Sequence, residues 1–73
     1  MNSSTKYNYN QLLSALSTSI KYANKYGDAA SFVRLANCYN NMGLYHLQKD
    51  DYIRARTCFY KGFVICKSVL EDD

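Results

Sequence analysis

Apolar residues recur every three to four positions along most of this chain, in three separate runs. The first run, Tyr9, Leu12/Leu13, Leu16, Ile20, Ala23 and Tyr26, predicts an amphipathic helix through about Tyr26. Lys21 and Lys25 fall toward its end, where they suit the helix dipole. Gly27 then supplies a left-handed stop and Asp28 a cap for the next helix. The second run, Phe32, Leu35/Ala36, Tyr39, Met42/Gly43 and His46/Leu47, predicts a helix from about Ala29 to Gln48. The third, Tyr52, Ala55, Phe59, Gly62/Phe63, Cys66 and Val69/Leu70, predicts one from Asp51 or Tyr52 to Leu70. Between them the chain must turn at Asp50-Asp51. Asp50 tolerates a left-handed conformation, and Asp51 is suited to cap the helix that follows. Connections this short make neighbouring helices antiparallel. The expected fold is all-α, with three antiparallel helices in one domain over residues 9–70. A flexible polar segment (1–8) is expected before it, and an acidic tail (71–73) after it.

Within the second and third runs the small and bulky residues keep a particular spacing: Tyr39-x2-Met42-Gly43-x2-His46, then Ala55-x3-Phe59-x2-Gly62. Gly43 would let a second helix approach closely, and Ala55 is its small counterpart on that helix. Tyr39, Met42 and Phe59 would fill the groove between them. This spacing resembles the tetratricopeptide repeat, a helical hairpin with Trp-x2-Leu-Gly-x2-Tyr on one helix and Ala-x3-Phe on the next. The identities depart from that family at Tyr39, Met42, His46 and Gly62, and Lys67 stands where its terminal Pro would be.

A weaker internal match extends the resemblance. Leu16-x2-Ser19-Ile20-x2-Ala23 maps onto Phe59-x2-Gly62-Phe63-x2-Cys66 at a shift of 43 residues. The first helix then reads as the second half of one hairpin, followed by one complete hairpin, about one and a half repeats. The segment around Gly27-Asp28 and Asn41-Met42-Gly43 is similar to the long-helix variant of the family. That variant occurs in Leu-Gly-Asn-repeat adaptors of G-protein signalling and in peptide-pheromone receptors of Gram-positive bacteria. The resemblance covers about residues 12–70. It implies that the first helix of a hairpin lines a peptide groove, with an Asn at the position of Asn41 holding ligand backbone. A fold-level alternative is the three-helix microtubule-interacting-and-trafficking domain, which does not require the Gly43/Ala55 spacing.

Composition narrows the function. A chain of 73 residues buries only about 60% of its unfolded surface and usually needs help from a partner or a second copy. Eight Tyr and three Phe without a Trp put aromatic rings at the surface, where they favour interfaces. A homo-oligomer is therefore expected. The net charge of +3 is mild, but Glu71, Asp72 and Asp73 crowd the C-terminus, and outside that tail nine basic residues face three acidic ones. A nucleic-acid surface using Lys21, Lys25, Arg34, Arg54 and Arg56 is disfavoured because no basic run or recognition-helix signature accompanies them. Cys38, Cys58 and Cys66 have no C-x-x-C spacing. They are expected at or near buried stripes as small apolar residues in a reducing compartment. No leader and no apolar run of about 18 residues occurs, so a cytoplasmic protein with no membrane segment is expected.

Catalysis is hard to place, and no enzyme, cofactor or metal site is expected. The one His, His46, occupies a packing position, and Cys38 lies two turns away along the same helix, too far to use it as a base. Asp50 and Asp51 belong to a turn, and Gly27 is a lone cap. The informative set is Arg34, Asn37, Asn40, Asn41, Leu44 and Gln48, with Tyr45 beside Leu44, on the second helix next to its packed stripe. Asn is a poor helix former, and three occur here within five residues. A side-chain amide both donates and accepts, so it can pair with a peptide backbone whatever the peptide's sequence. The function this suggests is a non-enzymatic interaction module that binds a protein or peptide partner. The rival is an architectural piece that completes a larger helical solenoid by self-association.

Overall fold

The three periodic runs are three helices. A computed structural model describes residues 8–71, comprising α1 (Tyr9–Tyr26), α2 (Ala29–Gln48) and α3 (Tyr52–Glu71). Residues 1–7, 72 and 73 lie outside the described residues, so the expected flexible segment is represented only by Asn8. Asn8 is the cap of α1. Its side chain accepts from the Gln11 N–H at 2.8 Å, while the Gln11 side chain accepts from the Asn8 N–H at 3.0 Å. Glu71, the first residue of the expected tail, is the last residue of α3.

Both turns form through the residues that signalled them. Gly27 takes φ 61° and its N–H donates to the Ala23 carbonyl at 2.8 Å, closing α1. Asp28 accepts from the Ser31 N–H at 2.9 Å and so caps α2. At the second turn Asp50 adopts φ 60°, an uncommon conformation that Asp tolerates better than most residues. Asp51 caps α3, accepting from the Arg54 N–H at 3.2 Å and pairing with its guanidinium at 2.9 Å.

α2 is the central helix. α1 and α3 both pack against it, and among the described residues no Cα of α1 lies within 8 Å of one of α3. The buried apolar residues are Leu12 and Ala23 of α1, Leu35, Ala36 and Met42 of α2, and Ala55 of α3. The helices touch at small residues. Ser19 of α1 is buried and its Oγ lies 3.1 Å from Cys38 Sγ. Gly62 of α3 is buried where an added Cβ would sit 3.3 Å from the Ala36 carbonyl oxygen. Ser19 and Gly62 are matched positions in the internal match read from the sequence, and each contacts α2.

Several residues expected on buried stripes are not covered. Leu13 and Ile20 of α1, Leu47 of α2, and Tyr52, Phe63, Cys66 and Leu70 of α3 are exposed. Tyr39, His46, Phe59 and Val69 are half-buried. The physical reason is the arrangement itself. Each outer helix has one neighbour, so it buries a single narrow line of residues and leaves the flanks of its apolar stripe in solvent. Cys66 is exposed although it lies one turn beyond buried Gly62, which corrects its expected placement as a packed residue; Cys38 and Cys58 are half-buried.

Candidate binding face of the second helix

At 100° per residue, α2 presents three arcs. One carries Cys38, whose thiol donates to the Ala15 carbonyl of α1 at 3.7 Å. The second carries Ala36, Tyr39 and Gly43, which meet α3. Asn37, Asn41, Leu44 and Gln48 recur at four, three and four residues on the remaining arc, and all four are exposed. This arc faces away from both other helices. It forms a polar row with Leu44, half of whose surface is accessible, in its centre.

Among the described residues, none of the side-chain amides of Asn37, Asn40, Asn41 and Gln48 has a hydrogen-bond partner. Their donors and acceptors all face water. The cost of three Asn in one helix is thus not offset by any bond to a neighbouring helix.

Two members of the expected set sit at the borders of this row. Arg34 points toward α1, with its guanidinium 5.9 Å from the centre of the Tyr22 ring. It also borders a shallow crease of ≈ 540 Å³ between α1 and α2 that includes Thr18 and Ser19. Asn40 lies on the α3 side of the row, next to Tyr39, whose ring carries Lys61 Nζ at 5.7 Å. The continuous row is therefore Asn37, Asn41, Leu44 and Gln48.

Near the end of α2 the row meets an aromatic group that sequence reasoning did not assemble. The rings of Tyr9 and Tyr45 are 5.3 Å apart, and His46 stands edge-on to both, at 6.1 Å from Tyr9 and 5.6 Å from Tyr45. Lys49 Nζ lies 5.6 Å from the Tyr45 ring centre. His46 is thus a boundary residue held among aromatics. The remaining perturbed groups belong to caps and packing. Hydrogen bonds from Ser31, the backbone N–H first, hold the Asp28 carboxyl below the ordinary carboxylate value. The Arg54 N–H and then its side chain do the same for Asp51. Burial pushes the Cys58 thiol up, opposed by nearby Lys61.

No group of three or more His, Cys, Asp or Glu among the described residues is placed to hold a metal ion, and none of their helices is long and apolar enough to cross a membrane. No known protein family, curated protein or solved structure matches the chain.

Proposed function

We propose that this protein is a non-enzymatic interaction module that binds an extended segment of a protein partner along α2. The supporting observation is the row Asn37, Asn41, Leu44 and Gln48: free amides at one-turn intervals around an exposed Leu, on the face no other helix covers. Amides so spaced suit the carbonyls and N–H groups of a peptide backbone, and Leu44 supplies an apolar contact between them. In this reading the hairpin is tetratricopeptide-like, and the protein acts in the cytoplasm.

The test is selection of binding peptides from a random library on the full chain, with each hit measured against an Asn37→Ala/Asn41→Ala variant. Loss of two backbone-directed hydrogen bonds is worth about 1–3 kcal/mol, so binding should weaken roughly fivefold or more. Helicity should stay the same or rise, because Ala is the better helix former. Unchanged affinity with both amides gone removes this reading.

A second reading is favoured by a different observation. Among the described residues fourteen large hydrophobic residues are exposed, whereas only Leu12, Leu35 and Met42 among the large apolar side chains are buried. A helix array this open is completed by covering its outer helices, so we also propose that the chain self-associates as an architectural element.

A further inference from the structure

The exposed apolar surface is unevenly distributed, and α3 carries its most accessible part. Tyr52, Ile53, Tyr60, Phe63 and Leu70 are between 60% and 84% exposed, whereas Leu13 and Ile20 of α1 are near 40%. All five lie on the side of α3 left open by Ala55 and Gly62, its contacts with α2. Tyr60 and Phe63 already touch one another, with ring centres 6.4 Å apart, at the middle of this surface. Together the five side chains expose roughly 700 Å² per copy, close to the about 800 Å² per partner of a standard interface.

Charge is unevenly placed along α3, beyond the Asp51 carboxylate that caps its N-terminus. There is no acidic residue in its first turn and no basic residue in its last. Arg54 and Arg56 stand near its start, and Glu71 ends it, followed in the sequence by Asp72 and Asp73. Arg54 is occupied by Asp51 at 2.9 Å and Glu71 lies 3.8 Å from Lys67 in an exposed pair, but Arg56 has no ion-pair partner among the described residues. Arg56 and Glu71 become complementary between two such helices that run in opposite directions.

From these two observations we infer that α3 is the docking surface for a second copy of this chain, packed antiparallel about a two-fold axis near Phe63. This inference rests on the self-association reading and is independent of the peptide-binding row on α2. The axis stacks the Tyr60/Phe63 pairs of the two copies at the centre. It sets position 56 of one copy across from position 70 of the other, so that Arg56 lies beside Glu71. Leu70 then covers the aliphatic stem of the opposing arginine.

The experiment is sedimentation of the full chain over micromolar to millimolar concentrations, with helicity followed by circular dichroism. The parent should pass from 8.4 kDa to twice that mass, and Phe63→Glu should remain monomeric with its helicity retained. Arg56→Glu should weaken the dimer roughly tenfold, and so should Glu71→Lys. Mixed in equal amounts, these two charge variants should pair with each other and restore parental affinity, because both contacts across the axis are then opposite in sign. A parent that stays monomeric throughout removes both the self-association reading and this inference. A dimer indifferent to Phe63→Glu, or charge variants that do not rescue one another, keeps self-association and overturns the antiparallel α3 interface.

Discussion

Gly43 on α2 faces the ring of Phe59 on α3 so closely that a Cβ at position 43 would lie 2.6 Å from Phe59 Cε1. Real side chains do not tolerate that separation, so the two helices approach as they do because position 43 has no side chain. The contact partner is a ring, and a ring can swing aside at a cost in packing.

The first prediction uses that coupling. Gly43→Ala brings a helix-propensity gain of about 1 kcal/mol together with a clash. In a Phe59→Ala background the clash is gone, and the same Gly43→Ala change should stabilise. In the parent it should be neutral or destabilising, and Gly43→Leu should cost about 1–3 kcal/mol. Urea unfolding of the four chains of the Gly43/Phe59 cycle measures the coupling. If Gly43→Ala has the same effect in both backgrounds, the close approach does not hold.

Gly62 makes the complementary case, since its neighbour is backbone. An added Cβ would sit 3.3 Å from the Ala36 carbonyl oxygen and 3.8 Å from Tyr39 Cβ. A few tenths of an ångström of helix separation admits Ala, and the propensity gain offsets that shift, so Gly62→Ala should change stability by less than about 1 kcal/mol. Gly62→Leu should cost about 1–3 kcal/mol, because the α2 backbone cannot rotate out of the way. Equal unfolding midpoints for the parent and Gly62→Leu would contradict this placement.

These two glycines also show how far the sequence could be read. Helix limits were legible because their signals are local: Gly27 and Asp28 at one turn, Asp50 and Asp51 at the other. The amide row on α2 was legible because Asn is costly in a helix and so stands out. The lateral limits of each buried stripe were not legible. Hydrophobicity marks Ile20, Phe63 and Cys66 as interior, yet each faces solvent, because whether a flank is covered depends on a neighbour that periodicity does not reveal. Ser19 enters the sequence reading only as the match to Gly62 and Ser31 not at all, yet both are buried. Each buried hydroxyl finds a partner, Ser19 at Cys38 and Ser31 at the Asp28 carbonyl, so a small polar residue is buried without an unpaired group.

Acid sensitivity follows from the two helix caps. Hydrogen bonds to Asp28 and Asp51 favour the ionised carboxylate, so both titrate below their ordinary value in the folded chain. A depressed folded-state value means that the stabilisation is fully present above the unfolded value, about pH 3.9, and is lost as pH falls through the folded one. The melting temperature should therefore drop below about pH 4. Asp28→Asn/Asp51→Asn keeps side-chain oxygens that cap but no longer titrate. Thermal unfolding of that double variant should show a flatter acid limb, and an acid limb as steep as the parent's would count against the caps as its source.

Thiol reactivity provides a last check on how α3 sits. The thiolate is the nucleophile in alkylation, so reactivity requires both access and deprotonation. Cys66 is exposed, whereas Cys58, two turns earlier on the same helix, is half-buried and its thiol is pushed up by burial despite nearby Lys61. Cys38 is half-buried too, with its sulfur against Ser19 and the Ala15 carbonyl in the crease between α1 and α2. Treatment of the native chain with a small alkylating reagent near neutral pH should therefore modify Cys66 first, with Cys58 and Cys38 following slowly. Cys66→Ser should abolish the fast phase, and denaturant should bring the remaining thiols to similar rates by removing the burial. Mass spectrometry of the peptides over time reads all of this. If Cys58 is modified as fast as Cys66 in the native chain, the rotation of α3 against α2 is wrong, and with it the assignment of Phe63 and Leu70 to the open side.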